Sequence, residues 1–158
     1  RMTPSFSVLD HLHMANALRL AERAAYTTRP NPMVGCVIVA DGDVVGEGFH
    51  VQKGGPHAEV VALQAAGDRA RGATAYVTLE PCPMCAAAIS AARIAVLYYG
   101  AEDPRMGGVR HGARVFDHPQ CHHRPEVVDG IHAEESRRLL QDFFRERRGH
   151  GTVPPGTF

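Results

Sequence analysis

The sequence carries no excess of either charge: seventeen Lys plus Arg stand against seventeen Asp plus Glu. No whole-molecule field therefore draws it to nucleic acid or to an anionic membrane, and any basic surface must be local. Long apolar runs are missing as well. The stretch from Val34 to Ala40 is far too short to cross a bilayer. No secretory leader precedes the first helical pattern, so the expectation is a cytoplasmic protein without membrane contact. Cysteine is scarce, with four in 158 residues. Cys82 and Cys85 sit where a metal would be held, which leaves Cys36 and Cys121 unmatched and points to reduced thiols rather than a disulfide framework. There is no internal repeat.

What is present is ordinary for a globular protein: 44% hydrophobic and 22% charged residues, which suggests neither disorder nor a fibrous repeat. Residues 1–158 are expected to form one domain with an ordered core of about residues 8–149, since a chain of this length can bury a real core. Arg1 stands ahead of Met2 and the stretch 149–158 is rich in Gly and Pro; neither end enters the fold argument.

Asp10 reads as an N-cap, and Leu12, Ala15, Leu18, Ala21 and Ala25 recur at helical spacing, predicting a first helix that ends before Pro30. Val34–Val39 is short, apolar and β-branched, as a buried strand is. Asp41-Gly42 then turns the chain into Val44–Phe49, its antiparallel partner. His57–Ala66 predicts a helix stopped by Gly67, and Ala73–Leu79 a strand. Pro83–Arg93 predicts an Ala-rich helix with proline in its first turn, and Ile94–Tyr99 another strand. Residues 103–125 read as a long loop, Glu126–Ile131 as an edge strand and Ala133–Arg148 as an amphipathic helix. This alternation predicts an α/β layer architecture whose second and third helices begin near each other.

The chemistry lies at those two helix starts. His57-Ala58-Glu59 opens one, and Pro81-Cys82-Pro83-Met84-Cys85 opens the next, with the sulfurs one turn apart. One imidazole and two thiolates suit Zn²⁺, and three protein ligands leave the fourth tetrahedral position open, as in catalytic sites. Helix N-termini favour thiolates at Cys82 and Cys85. Glu59, two residues from His57, faces another side of the helix and suits proton transfer rather than ligation. A structural zinc knuckle and a redox dithiol are the competing readings; the latter leaves His57 and Glu59 without a role. A zinc-stabilised binding module without catalysis is the alternative of another class, and it predicts that Glu59→Ala changes nothing.

His-x-Glu followed by Pro-Cys-x-x-Cys is the signature of zinc nucleobase deaminases. On these residues the chain resembles the cytidine-deaminase superfamily over roughly residues 10–148. The resemblance implies a three-layer α/β/α domain with a central mixed sheet, hydrolytic deamination and a homodimer. It divides along the chain. Tyr26–Cys36, Gly46–His50 and Pro56–Glu59 resemble the riboflavin-pathway aminopyrimidine nucleotide deaminase. Pro81–Cys85, Tyr98–Ala101, His118-Pro119, Cys121–Glu126 and Asp142–Arg145 resemble bacterial tRNA adenosine deaminase. The tight Cys-x-x-Cys stands where the riboflavin-pathway enzyme has a longer insert. Adenosine in tRNA or another single-stranded nucleic acid is the favoured substrate, and a free aminopyrimidine nucleotide is the alternative.

In both groups an Asn before the first strand and a polar residue after the second line the base pocket. By resemblance these are Asn31 and His50, where the tRNA enzyme usually has Asn at the second position. Ala58 and Pro81, beside the metal ligands, complete the substrate-binding candidates. Arg137, Arg138, Arg145, Arg147 and Arg148, with Phe143-Phe144, suggest RNA contact on the last helix, but Glu134, Glu135, Asp142 and Glu146 are interleaved and a solvated face is equally consistent. The His118, Cys121, His122 and His123 group reads as a loop rather than a second metal site. Cys36 reads as a small core residue, and Tyr98 and Tyr99 as facing opposite sides of the sheet.

Overall fold

A computed structural model describes residues 5–24 and 32–148. Five strands form one mixed sheet: β1 (Gly35–Ala40), β2 (Asp43–Phe49), β3 (Thr74–Leu79), β4 (Val96–Ala101) and β5 (Glu126–Asp129), in the order β2-β1-β3-β4-β5. β1 runs antiparallel to both of its neighbours, while β3, β4 and β5 are parallel. Helices α1 (Val8–Glu22) and α4 (Ala133–Arg148) cover one face, and α2 (Ala58–Ala66) and α3 (Pro83–Ala91) cover the other. This is the expected three-layer α/β/α arrangement.

Because both faces of the central strands are covered, β1 is a continuous apolar run rather than an alternating one. Cys36 and Ile38 point into the α2/α3 layer with Ala62, Val77, Ile89 and Tyr99, while Val37 packs with Met14, Ala17, Leu20 and Tyr76 under α1. Cys36 is thus a core residue, and burial pushes its thiol pKa up. Tyr99 and Tyr98 enter opposite layers, as expected. Tyr98 stacks on Tyr76 with ring centroids 4.9 Å apart, and both hydroxyls reach Asp10, at 3.5 and 2.7 Å.

Asp10 is not the N-cap of α1. Ser7 is, and the two form a capping box: the Ser7 Oγ accepts from the Asp10 N–H and the Asp10 carboxylate accepts from the Ser7 N–H. The buried face of α1 is His13, Met14, Ala17, Leu20 and Ala21, not the Leu12-Ala15-Leu18 series; Leu12 is half exposed. Apolar residues surround this helix nearly evenly, so periodicity alone could not choose between faces. α1 ends at Glu22, and residues 25–31, including Ala25 and Asn31, lie outside the described residues.

The hairpin closes at Asp41-Gly42 as the sequence implies, with both residues at positive φ. Its close contact with α2 depends on missing side chains. A Cβ on Gly46 or Gly48 would collide with the Ala62 or Ala58 carbonyl oxygen of α2. The segment from Val51 to Gly54 that leads into α2 is exposed, and a Cβ on Gly54 would meet nothing. α3 ends two residues earlier than expected, at Ala91, because Arg93 turns to positive φ; β4 accordingly begins at Val96. A single 3-10 turn, Gly67–Ala70, follows α2 where the sequence suggested a plain stop. The His118–His123 stretch is loop, and its Cys121 thiol and the Ser90 hydroxyl both donate to the His123 carbonyl.

Candidate active site and metal centre

His57 and Cys82 occupy equivalent places, the extended N-cap residues of α2 and α3, with φ and ψ of −68° and 159° and of −67° and 168°. Neither side chain caps its own helix. Both point instead toward a shared spot, where His57 Nδ1 lies 3.6 Å from Cys82 Sγ and 3.5 Å from Cys85 Sγ. One potential ligand atom from each of the three residues lies within 4.8 Å of the others, and no further such cluster occurs among the described residues. An imidazole nitrogen and two sulfurs at this spacing are the donor set that Zn²⁺ takes, so the residues fit the metal. The redox-dithiol reading would leave the third donor without a purpose.

The two helix N-termini aim their partial positive ends at this spot. A hydrogen bond from the Cys85 thiol, supported by the Cys85 backbone N–H, brings the Cys82 pKa down to about 5, against the opposing effect of burial. The Cys85 thiol is raised in turn, through that same bond and through burial. The pair therefore holds one thiolate readily, and a metal cation is what allows it to hold two.

A cavity of about 240 Å³ opens over His57 and Cys82, with Cys85 buried beneath them. Its lining includes Val34, His50, Ala58, Glu59, Asp103 and Met106. Glu59 is 4% exposed and sits within hydrogen-bond reach of Cys85; burial raises its pKa above the ordinary carboxylate value. A carboxyl group buried beside a metal site and open to a cavity can both take and return a proton.

His50 is buried in the cavity wall. Its Nδ1 lies 3.0 Å from the Pro56 carbonyl oxygen and its ring meets that of His57 edge to face. Ala58 also lines the cavity. Pro81 is fully buried outside the lining, and its carbonyl accepts from the Gly108 N–H at 2.8 Å.

Three wall residues, Glu80, Asp103 and Met106, were not singled out from the sequence. Asp103 and Met106 stand in a loop whose path no periodicity describes. Glu80 did leave a signal, a carboxylate closing an apolar strand run directly before a metal-ligand turn.

A second, open groove of about 670 Å³ adjoins the first cavity and shares Pro32, Leu79, Asp103 and Met106 with it. Its far side is α4, with Leu140, Gln141, Phe144 and Arg145. Phe143 packs into the core, 2% exposed, and sends only its neighbour Phe144 to the groove. Arg137, Arg138 and Arg145 are exposed and paired with Glu134 or Asp142 along the helix, so this face is solvated rather than a dense basic stripe. The side chains of Arg147 and Arg148 lie outside the described residues.

Residues 7–101 match the cytidine and deoxycytidylate deaminase zinc-binding region. The Escherichia coli riboflavin biosynthesis protein RibD is 55% identical over 145 residues, covering 88% of this chain and 38% of RibD. The Agrobacterium fabrum tRNA-specific adenosine deaminase is 45% identical over 140 residues, covering 83% of this chain and 92% of that protein. The chain thus spans well under half the length of the RibD relative. Among solved structures, Acinetobacter baumannii RibD superimposes with a TM-score of 0.75 at 42% identity, covering 86% of this chain and 39% of that one. A chain solved in a study of A-to-I editing by tRNA:A34 deaminases does so with 0.73 at 41%, covering 82% of this chain and 99% of that one. No helix among the described residues is long and apolar enough to cross a membrane. Two cysteines and a histidine placed for zinc, the α/β/α frame and the matched region agree: the chain belongs to the zinc-dependent cytidine and deoxycytidylate deaminase family.

Proposed function

We propose that this deaminase acts on adenosine presented in single-stranded RNA, with a tRNA anticodon loop as the favoured substrate and inosine and ammonia as products. The observation that carries this reading is the open groove beside the metal cavity. A 240 Å³ cavity suits a single base, whereas an adjoining 670 Å³ groove bordered by Phe144, Arg105 and Arg145 has the size, aromatic surface and cations that flanking nucleotides use. Apart from Pro32 and Leu79, the groove is built from the half of the chain that resembles the tRNA enzyme.

In this reading His57, Cys82 and Cys85 hold zinc, which when bound supplies Lewis-acid activation of water. Glu59 takes a proton from the attacking water, delivers it to the ring nitrogen beside the reacting carbon, and serves again as the amino group departs as ammonia. The raised pKa of Glu59 suits this exchange, because burial makes its carboxylate a better proton acceptor than an exposed one. The apolar walls, Val34, Leu79 and Met106, limit competing water. His50 and Ala58 border the base, and the expected contact from Asn31 lies outside the described residues.

A free aminopyrimidine nucleotide is the second reading, favoured by His50 in the cavity wall at the position where the tRNA enzyme usually carries Asn. The family resemblance further supports a homodimer, which sedimentation equilibrium tests directly.

The deciding experiment incubates zinc-loaded protein with an anticodon stem-loop bearing a wobble adenosine, and in parallel with the aminopyrimidine nucleotide. Products are read by mass spectrometry with Glu59→Ala as control. Inosine from the wild type alone supports the first reading. Deamination of the nucleotide alone transfers the assignment to the second.

A further inference from the structure

The carboxylate of Glu80 is fully enclosed, at 0% side-chain exposure, two residues before the first metal cysteine. It lies at the centre of the loop that follows β4. Its Oε1 accepts the consecutive backbone N–H groups of Val109, Arg110 and His111 at 3.2, 2.8 and 3.0 Å. Its Oε2 accepts the Asp103 N–H at 3.0 Å and His111 Nδ1–H at 2.7 Å. Successive N–H groups converging on one oxygen form the concavity with which proteins bind anions, and here the anion is the chain's own side chain.

We propose that Glu80 is a positioning residue that fixes the 103–111 loop onto the metal-ligand turn and so sets the place of the pocket wall formed by Asp103 and Met106. The loop is shaped for this attachment. A Cβ on Gly107 would fall 2.6 Å from the Glu80 carboxyl carbon, and one on Gly108 would fall 2.5 Å from the Pro83 nitrogen, so only glycine permits the approach. Gly108 N–H also binds the Pro81 carbonyl, and Val115 N–H binds that of Gly108. Asp103 carries the restraint outward: its Oδ1 accepts from the N–H groups of Arg105 and Met106, at 3.2 and 3.0 Å. A chain of hydrogen bonds therefore runs from residue 80, beside the metal ligands, to Met106, which is 67% exposed.

A loop left loose would have to be ordered each time substrate enters, which weakens binding. The metal ligands and the proton-carrying Glu59 come from the starts of α2 and α3 rather than from that loop, so the chemical step itself is expected to be spared. The turnover part of this inference rests on the deaminase reading; the loop part does not.

The test compares zinc-loaded wild type with Glu80→Gln and the milder His111→Ala. Hydrogen–deuterium exchange is followed at the amides of Asp103, Val109, Arg110 and His111, alongside zinc content and steady-state kinetics on whichever substrate is turned over. In Glu80→Gln these amides are expected to exchange at least about tenfold faster, consistent with loss of hydrogen bonds to a charged group. The amides of α2 and the bound zinc are expected to stay unchanged. KM should rise about tenfold and kcat stay within about threefold, with His111→Ala intermediate. Unaltered exchange in the loop, or a fall in kcat at constant KM, overturns the proposal. Should the wild type turn over neither substrate, the exchange data alone decide it, and only the functional reading is revised. Should Glu80→Gln fail to fold, His111→Ala decides by the same two criteria.

Discussion

Glu59 and Asp10 are two carboxyl groups treated in opposite ways by the fold. Glu59 is buried beside the ligands and reads as the proton carrier; replacing it with Gln keeps its shape and is expected to lower kcat by about 10² to 10⁴-fold. Zinc measured by atomic absorption should remain at one per chain, whereas Cys82→Ser should lose it. A Glu59→Gln protein that kept its turnover would show that Glu59 is not the proton carrier. Burial opposes ionisation of Asp10, but hydrogen bonds from Tyr76, Ser7 and Tyr98 outweigh it and hold the carboxyl below its ordinary value. Its stabilising contribution is therefore complete above the unfolded carboxylate pKa of about 4 and is lost as pH falls through the folded value. Asp10→Asn should melt several degrees lower than wild type near neutrality, and the gap in thermal unfolding followed by circular dichroism should close as pH falls below the ordinary carboxylate range. A gap constant with pH would mean that packing, not charge, is what Asp10 supplies. At this scale the sequence was most informative where chemistry demands rare types at fixed spacing, as for His57, Glu59, Cys82 and Cys85. Glu80 escaped because four of its five partners are backbone N–H groups, which no residue type announces.

The elements were legible in proportion to how strongly their residues prefer one structure. The β1–β2 hairpin, with its β-branched runs and Asp41-Gly42, and α4, with its sharply divided polar and apolar sides, lie close to where the sequence puts them. α1 exists as expected but is turned, because Val8, Leu9 and Leu12 are apolar and yet exposed while His13 is buried. Tertiary packing against Tyr76 and Val37 chose the face that the pattern could not. Ala-rich α2 and α3 carried little period of their own, but their small side chains have a consequence in the layer they form. Ala58 and Ala62 let α2 settle onto Gly46 and Gly48 of β2 with backbone nearly touching backbone. Gly48→Ala should therefore cost about 1–3 kcal/mol by overpacking against the Ala58 carbonyl. Because Ala58 adjoins His57, zinc affinity is expected to weaken along with the melting temperature. Titration with a chromogenic chelator reads the first and calorimetry the second; unaltered values of both would show that the helix yields easily.

For the molecule as a whole, the metal site joins two units of chain far apart in sequence, adding to the β1–β3 pairing and to the core that α2 and α3 share. His57 comes from the helix after the antiparallel hairpin, while Cys82 and Cys85 come from the helix after the first parallel strand. Binding that requires all three favours the state in which both units are closed, so stripping zinc with a chelator should lower the melting temperature and re-addition should restore it. If residues 1–158 form the single domain expected from their length, the transition stays single in both forms; two separated transitions in calorimetry would divide it. The layer order was legible from the alternation of elements. The position of the 103–125 segment was not, since its course is set by the interior of a neighbouring turn. The two connections that flank the active site differ in a way useful to a protein engineer. The 103–115 segment is sewn to residues 80–83 and leaves no room for even one added methyl group at Gly107 or Gly108. The Val51–Gly54 bend projects outward, and its base is cinched by His50 Nδ1 and the Pro56 carbonyl. A fluorescent reporter or affinity tag spliced at Lys53-Gly54 would hang from that cinch like a pendant, near the entrance yet outside the folded layers.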